Sequence, residues 1–224
     1  MHLVSTVLCT SGLAAEAKIA RAAGFPVVIG AGDRERTAAL VESVVQGASC
    51  LISFGIAGAL APDLQAGDVV ISDEVVAEGE RWQADAWFQA RVGDLAGTIG
   101  AFRGPVFGAS AILATEADKR RAWRETGALA VDLESDVVAR IAAGAGIPFI
   151  VVRTIADSAW RELPPAALIP LSEVGTPKLA RVLASVVRRP GQIRALIRLA
   201  WETRRALSAL TGPAHILREL VAPV

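Results

Sequence analysis

The stretch Ala130–Ser158, AVDLESDVVARIAAGAGIPFIVVRTIADS, decides how this chain is read. Its pattern is strand end, helix, turn, strand, loop. Glu134 falls where the helix starts, and Asp157 falls just past the apolar strand Phe149–Val152. Two carboxylates at the ends of regular elements, separated by a helical crossover, can meet in one cleft. Open α/β sheets bind ligands outside the carboxyl ends of their strands. A structural role stays open beside this one: Glu134 and Asp157 as helix caps, or as partners of Arg153.

Upstream, strand and helix alternate. Leu3–Cys9 fits a buried strand. After the turn Thr10-Ser11-Gly12, Ala14–Ala23 is helical in composition, with Glu16 in the first turn, where the helix dipole favours a carboxylate whatever its job. Val27–Ile29 is a second strand, and a helix follows over about Arg34–Gln46 with Asp33 as its N-cap. The Gly30-Ala31-Gly32 turn before it can cradle an anion or serve as a plain turn. It lacks the third glycine of a dinucleotide fingerprint and the Gly-Lys-Ser/Thr of a P-loop. Ser49–Phe54 is a near-continuous apolar strand ending in Gly55-Ile56-Ala57-Gly58, small residues that let a ligand approach the backbone. A strand at Val69–Ser72, running on toward Val76, makes strands successive and points to a mixed sheet.

Glu78–Arg103 is the least regular part, and its Trp82, Trp87 and Phe88 line a lid or interface or pack inward on a helix. Val106–Leu113 reads as a strand, and Thr115-Glu116-Ala117-Asp118 resembles a capping box opening a helix to about Thr126. After the break Glu162–Pro165, Leu171–Val187 has a helical period. Ile193–Leu210 is a patterned helix with Ile193, Leu196, Ile197, Ala200 and Trp201 on one face. It packs on the sheet, or it lies on anionic lipid or gates a greasy substrate.

Composition sets the frame. Of 224 residues, 53% are hydrophobic and 21% charged, which favours one large, well-buried α/β domain over 1–224 with no internal linker. The net charge is zero, so nothing global points to nucleic acid. From Leu171 on, however, nine basic residues face three acidic ones, leaving fourteen against twenty in the rest. An acidic body thus carries a basic, amphipathic helical extension over about 171–224. Cys9 and Cys50 sit in apolar strands and read as core residues of a reducing, cytoplasmic compartment. No Cys/His cluster has metal-ligand spacing, so no metal is expected. No signal peptide and no transmembrane run is expected.

Four segments together resemble the purine nucleoside phosphorylase and methylthioadenosine/adenosylhomocysteine nucleosidase superfamily: GLAAEA (Gly12–Ala17), GAGD (Gly30–Asp33), SFGIAGALAPDLQAGDVVIS (Ser53–Ser72) and VDLES…IPFIVVRTIAD (Val131–Asp157). They stand in the family's order, across roughly the first three-quarters of the chain. Thr115–Ala130 and the Arg-Pro-Gly tail are more similar to one branch, the hopanoid-associated phosphorylases, which would release adenine from adenosylhopane in hopanoid synthesis. The resemblance implies an α/β fold, a phosphorylase/hydrolase-like mixed, twisted, partly closed central sheet flanked by helices. It implies a homo-oligomer, often a dimer, and no cofactor. Its alternatives are the housekeeping cleavage of methylthioadenosine or adenosylhomocysteine and, in another class, a non-catalytic nucleoside- or lipid-binding module.

The resemblance also implies roles. Asp157 matches the acid that protonates purine N7. Glu134 matches the ribose-hydroxyl ligand, with Leu133 where the family has Met. Glu16 matches the carboxylate that holds the nucleophilic water. The anion or backbone cradle falls to Gly12, Gly30, Gly32 and Gly55, with Arg34 or Arg36 supplying positive charge. The base or 5′-group pocket falls to Ile112 and Leu113, because Ser110–Leu113 lacks the family's aromatic, or to Trp82 or Trp87. Hexameric phosphorylases place an arginine and a serine where Ser53 and Ile56 stand here, which weakens a phosphate site and favours water, leaving phosphate as the alternative co-substrate. The substrate would be an adenine nucleoside, lipid-linked in the hopanoid reading, and the basic tail would then touch the inner membrane face peripherally.

Overall fold

The computed structural model describes residues 6–84 and 86–220, without the side chains of 86–88, 91, 92, 95, 219 and 220. Residues 3–5 of the expected first strand lie outside it, as do the alternatives for Trp87 and Phe88.

The chain alternates at first as its pattern suggests: β1 (Thr6–Ser11), α1 (Ala14–Ala22), β2 (Val27–Ile29), α2 (Arg34–Val44) and β3 (Ala48–Ala59). Asp33 caps α2 by accepting the Arg36 amide. β3 does not stop at Phe54 but runs through the small residues Gly55–Ala59, because both of its sides stay paired. Its first half lies beside β1, its last two residues beside β9 (Ala130–Asp132), and its other edge beside β10 (Phe149–Asp157). Asp157 is thus the last residue of β10 rather than a loop residue.

β4 (Val69–Ser72) and β5 (Glu74–Ala77) split at Asp73 because the two halves serve different neighbours. β4 pairs with β10 and with β7 (Phe102–Arg103), β5 with β6 (Glu80–Gln83) and β8 (Val106–Gly108). β8 pairs with β9, which returns to β3. The mixed sheet therefore curls into a partly closed barrel, joined across Asp73. The segment expected to be irregular, Glu78–Arg103, is ordered as β6, α3 (Ala86–Ile99) and β7. The strand expected over Val106–Leu113 ends at Gly108, after which the chain leaves the sheet toward α4 (Glu116–Thr126). Thr115 caps α4 by accepting the Asp118 amide.

The two faces of the sheet are covered differently. One core holds Leu51, Val70, Val106, Val151 and Ile155 under α2 and α5 (Ser135–Ala145), with Val41, Val137, Val138 and Ile141. The other holds Cys9, Ile52, Phe54, Ile71 and Val152 with Leu210, Ala214 and Leu217 from the C-terminal helices. Those helices are α6 (Leu179–Arg188), α7 (Ile193–Ala209) and α8 (Thr211–Leu220). α6 starts eight residues later than the periodicity from Leu171 suggests, the turn 172–176 intervening: the Ser172 amide donates to the Thr176 carbonyl, and the Ser172 hydroxyl accepts the Thr176 amide. The extension is part of the second core rather than an appendage, since Thr154 of β10 bonds the Ala206 carbonyl and Ala206 and Leu210 are fully buried. Among the described residues no helix is long and apolar enough to cross a membrane.

Candidate active site

β1, β3 and β10 are mutually parallel, so their carboxyl ends share one end of the sheet. There a cavity of about 270 Å³ opens, lined by Phe54–Gly58 at the end of β3, by Val131–Glu134, and by Leu163 and Leu171. Glu16, Glu134 and Asp157 all line it.

Glu16 reaches the cavity from the first turn of α1. Its carboxylate accepts the amide of Leu13 at 2.7 Å and that of Ile56 at 2.8 Å. Burial pushes its pKa up to about 7, against the lowering effect of those two amides and of Arg153, while Glu134 adds to the rise. This approach needs Gly55, since a Cβ there would sit 2.6 Å from Glu16 Oε1.

Glu134 occupies the N-cap position of α5, yet its side chain does not cap the helix. Asp132 does that work, accepting the amides of Glu134 and Ser135 at 2.9 and 2.8 Å. The Glu134 carboxylate is thereby left to turn into the cavity, where it accepts the Gly32 amide and the Thr37 hydroxyl, both at 3.0 Å. Burial raises its pKa, the Gly32 amide and Arg153 opposing. Arg153 pairs with Asp132 at 2.6 Å and donates to the hydroxyls of Ser53 and Ser135, so it partners neither Glu134 nor Asp157. For Asp132, burial raises the pKa, but Arg153 and the Ser135 and Glu134 donors outweigh it and leave the group below the usual carboxylate range.

Asp157 meets Lys119 of α4, one of the most deeply buried side chains. The ammonium donates to Asp157 Oδ2 and to the carbonyls of Ser158 (3.0 Å) and Arg161 (2.9 Å), which accounts for its three protons. Burial raises the Asp157 pKa, and Lys119 pulls it back.

The remaining expected residues divide. Gly12, Gly32, Gly55, Ile112, Leu113 and Leu133 line the cavity. Gly30 stands behind it, where a Cβ would fall 1.9 Å from Thr37 Oγ1 and 2.3 Å from Glu134 Oε1. The glycine turn thus cradles the protein's own Glu134 carboxylate rather than an external anion. Arg34 is not in the cavity: its guanidinium is bound to Asp136 of α5 and to the Ala109 carbonyl. Trp82 is not there either, because β6 lies on the far edge of the barrel and turns its ring onto the first core. Lys119, Asp132 and the Arg153–Ser53–Ser135 network were not expected at the site. Lys119 does leave a trace in the sequence, since it shares the inward i, i+3 face of α4 with Ala122.

A family model described as the phosphorylase superfamily matches residues 27–188. The chain belongs to that superfamily. A 5′-methylthioadenosine/S-adenosylhomocysteine nucleosidase from Marinomonas sp. (strain MWYL1) is 30% identical over 135 residues. That alignment covers 51% of this chain and 58% of the relative, so the chain spans just over half the length of the curated protein it matches. Among solved structures, S-adenosylhomocysteine nucleosidase from Streptococcus pyogenes, in complex with 5-methylthiotubericidin, superposes with a TM-score of 0.69 at 18% identity over the whole of both chains. Futalosine hydrolase of Helicobacter pylori strain 26695 gives 0.66 at 17% identity over 84% of this chain and 99% of that one. At these identities the likeness establishes the fold, the curled mixed sheet flanked by helices that the motifs imply.

Proposed function

We propose that this protein hydrolyses the N-glycosidic bond of an adenine nucleoside and releases adenine. One observation carries the reading: three carboxylates remote in sequence, Glu16, Glu134 and Asp157, open into one cavity of about 270 Å³ at the carboxyl end of the sheet. Small-molecule pockets start at about 300 Å³, so the volume suits a nucleoside-sized guest.

Cleavage makes adenine leave with the C1′–N9 electron pair. A proton delivered to N7 relieves that charge, and a positioned acid contributes about 10²–10⁴-fold. Burial raises the Asp157 pKa and so favours the protonated form that this donation requires. The carboxylate left behind faces the Lys119 ammonium, an attraction stronger after proton transfer than before it. Lys119 therefore favours the transition state over the ground state. Glu134, held by Gly32 and Thr37, accepts the ribose hydroxyls and faces the positive charge of the oxocarbenium-like sugar. Glu16, with its pKa near 7, takes a proton from the water whose oxygen attacks C1′. Leu133, Ile112 and Leu113 supply apolar walls for the base or the 5′ group.

Water rather than phosphate is the nucleophile in this reading. Among the described residues, the cations that line the cavity, Lys119 and Arg153, are each bound to a carboxylate; Arg34 is bound to Asp136 outside it, and Arg36 lines the neighbouring groove, donating to the Ile29 carbonyl. A phosphate dianion in the cavity would meet Glu16 and Glu134 with no unpaired cation among the described lining residues to offset the repulsion.

For the 5′ substituent, the relatives named as methylthioadenosine/adenosylhomocysteine nucleosidases favour a methylthio or homocysteinyl group. A second reading, adenosylhopane, is favoured by a groove of about 660 Å³ that shares Gly32, Ile112, Leu133 and Leu171 with the cavity and continues along Ala167–Leu171. A homodimeric cytoplasmic enzyme completes the reading, on the strength of the family resemblance. The test is adenine release from methylthioadenosine, adenosylhomocysteine and adenosylhopane, each with and without phosphate. Phosphate-independent release is expected, and the preferred substrate separates the two 5′ readings. Tight nucleoside binding with no adenine from any substrate would leave a non-catalytic binding module instead.

A further inference from the structure

The C-terminal helices carry a surface that the proposed chemistry does not use. α7 docks through Ala206 and Leu210, with Leu196, Leu199 and Thr203 half-buried beside them. At 100° per residue this inward side lies opposite the line Ile193–Ile197–Trp201, so the apolar pattern read from the sequence points outward and not onto the sheet. α6 repeats the arrangement: Val182, Ser185 and Val186 are half-buried, while Leu179, Leu183 and Val187 face solvent. These six side chains are between 43% and 81% exposed. Two four-residue-spaced ridges on consecutive helices are more than the scattered apolar residues of an ordinary surface.

The helices meet at a braced corner. The turn Pro190–Gln192 joins them, and Gln192 donates to the Ser185 carbonyl at 2.9 Å while accepting the Ala166 amide at 3.0 Å. The ridges are thus held in place before anything covers them.

Charge says what covers them. Exposed Arg181, Arg188, Arg189, Arg194, Arg198, Arg204 and Arg205 accompany the ridges. Arg194, Arg198 and Arg205 run along one flank of the α7 line, and Arg204 lies over the Trp201 ring at 5.7 Å from its centroid. α6 has no acidic residue, and α7 has only Glu202, which is bound to Arg161. A second copy docked on this face would set arginines against arginines in a drying interface, with no carboxylate to answer them. A layer of anionic headgroups over hydrocarbon answers both features: phosphates for the guanidinium groups, and the acyl boundary for the leucine, isoleucine and tryptophan side chains.

We infer that α6 and α7 form a docking surface for an anionic lipid bilayer, with the ridges Leu179–Leu183–Val187 and Ile193–Ile197–Trp201 inserted at the headgroup level. The contact is peripheral and salt-sensitive, and it is independent of which nucleoside the cavity takes.

The test is co-sedimentation of the full chain with vesicles of phosphatidylcholine alone and of equal parts phosphatidylcholine and phosphatidylglycerol, read beside sedimentation velocity without lipid. Binding to the mixed vesicles only, lost at high salt, is expected. Arg194→Ala/Arg198→Ala should lower that partition about thirtyfold, the factor for two charges at a bilayer surface. Leu183→Glu/Ile197→Glu should lower it at least tenfold with an unchanged far-UV spectrum and thermal midpoint. Equal binding to both vesicles, or to neither, overturns the inference. So does a lipid-free dimer that Leu183→Glu/Ile197→Glu dissociates in a protein that ignores vesicles, since the face would then join two copies. The readout involves no turnover, so its failure and that of the proposed hydrolysis are distinguishable.

Discussion

At the carboxyl end of the sheet the chain withdraws charge from water, while on α6 and α7 it leaves hydrocarbon in water. Glu16, Glu134, Asp157 and Lys119 are all buried, whereas Leu183, Val187 and Trp201 are mostly exposed. Both arrangements run against the ordinary partition of side chains. They differ in how the cost is met. Each buried carboxylate has donors built by the fold: the Leu13 and Ile56 amides for Glu16, Gly32 and Thr37 for Glu134, and Lys119 for Asp157. The exposed ridges have no such partner among the described residues, and what compensates them must come from outside. One region is finished within the chain, and the other is half of an interface.

The contrast can be broken at four points. Asp157→Asn removes the proposed proton donor and should cut adenine release by about 10²–10⁴-fold, with nucleoside binding retained in a binding assay. Near-normal turnover would show that the buried acid is only structural. Glu16→Gln should cost about 10²-fold and, more tellingly, remove a limb of the pH profile. With its pKa near 7, Glu16 gains the charge its proposed role needs as pH rises, so the rate of the unaltered protein should climb through about pH 7. The variant should lack that climb.

Lys119→Met strands Asp157 without its cation. Breaking a buried pair costs about 3–5 kcal/mol, so denaturant unfolding should shift by that order. The Asp157 pKa should rise further, because the group that lowers it is gone. The loss of turnover should then fall mainly on kcat, and the descending limb of the pH profile should move to higher pH. Trp201→Gln should change folding stability by no more than about 1 kcal/mol, the worth of an exposed cation–π contact such as the one with Arg204. A larger loss in the lipid-free protein would mean that Trp201 is packed in solution and that the two regions are less different than they look.

Much of the site was legible because its residues are tied to local signals. Glu16 lies in a first helical turn, Glu134 at a helix start and Asp157 at a strand end, and each motif is contiguous in the chain. The misreadings share one cause: position along the chain says little about which neighbour a side chain finds. Arg34 follows a glycine turn and looked like an anion ligand, but α5 brings Asp136 to it across a hundred residues. Trp82 was a candidate base contact until β6 turned its ring onto the core. The apolar line Ile193–Ile197–Trp201 has the spacing of a packed face, and only the burial of Ala206 and Leu210 reveals that the helix docks by its other side. Lys119 stands on an arginine-rich helix, where a lysine reads as solvated.

By itself the sequence determined the alternation of strands and helices, the mixed sheet, and the three acidic residues set at element ends. These follow from periodicity and capping, which act over a few residues. Only the tertiary structure decided which charges neutralise one another: Asp132 with Arg153, Asp136 with Arg34, and Asp157 with Lys119. Ion pairing and desolvation depend on distances between remote segments, and the curl of the sheet, closed across Asp73, sets those distances.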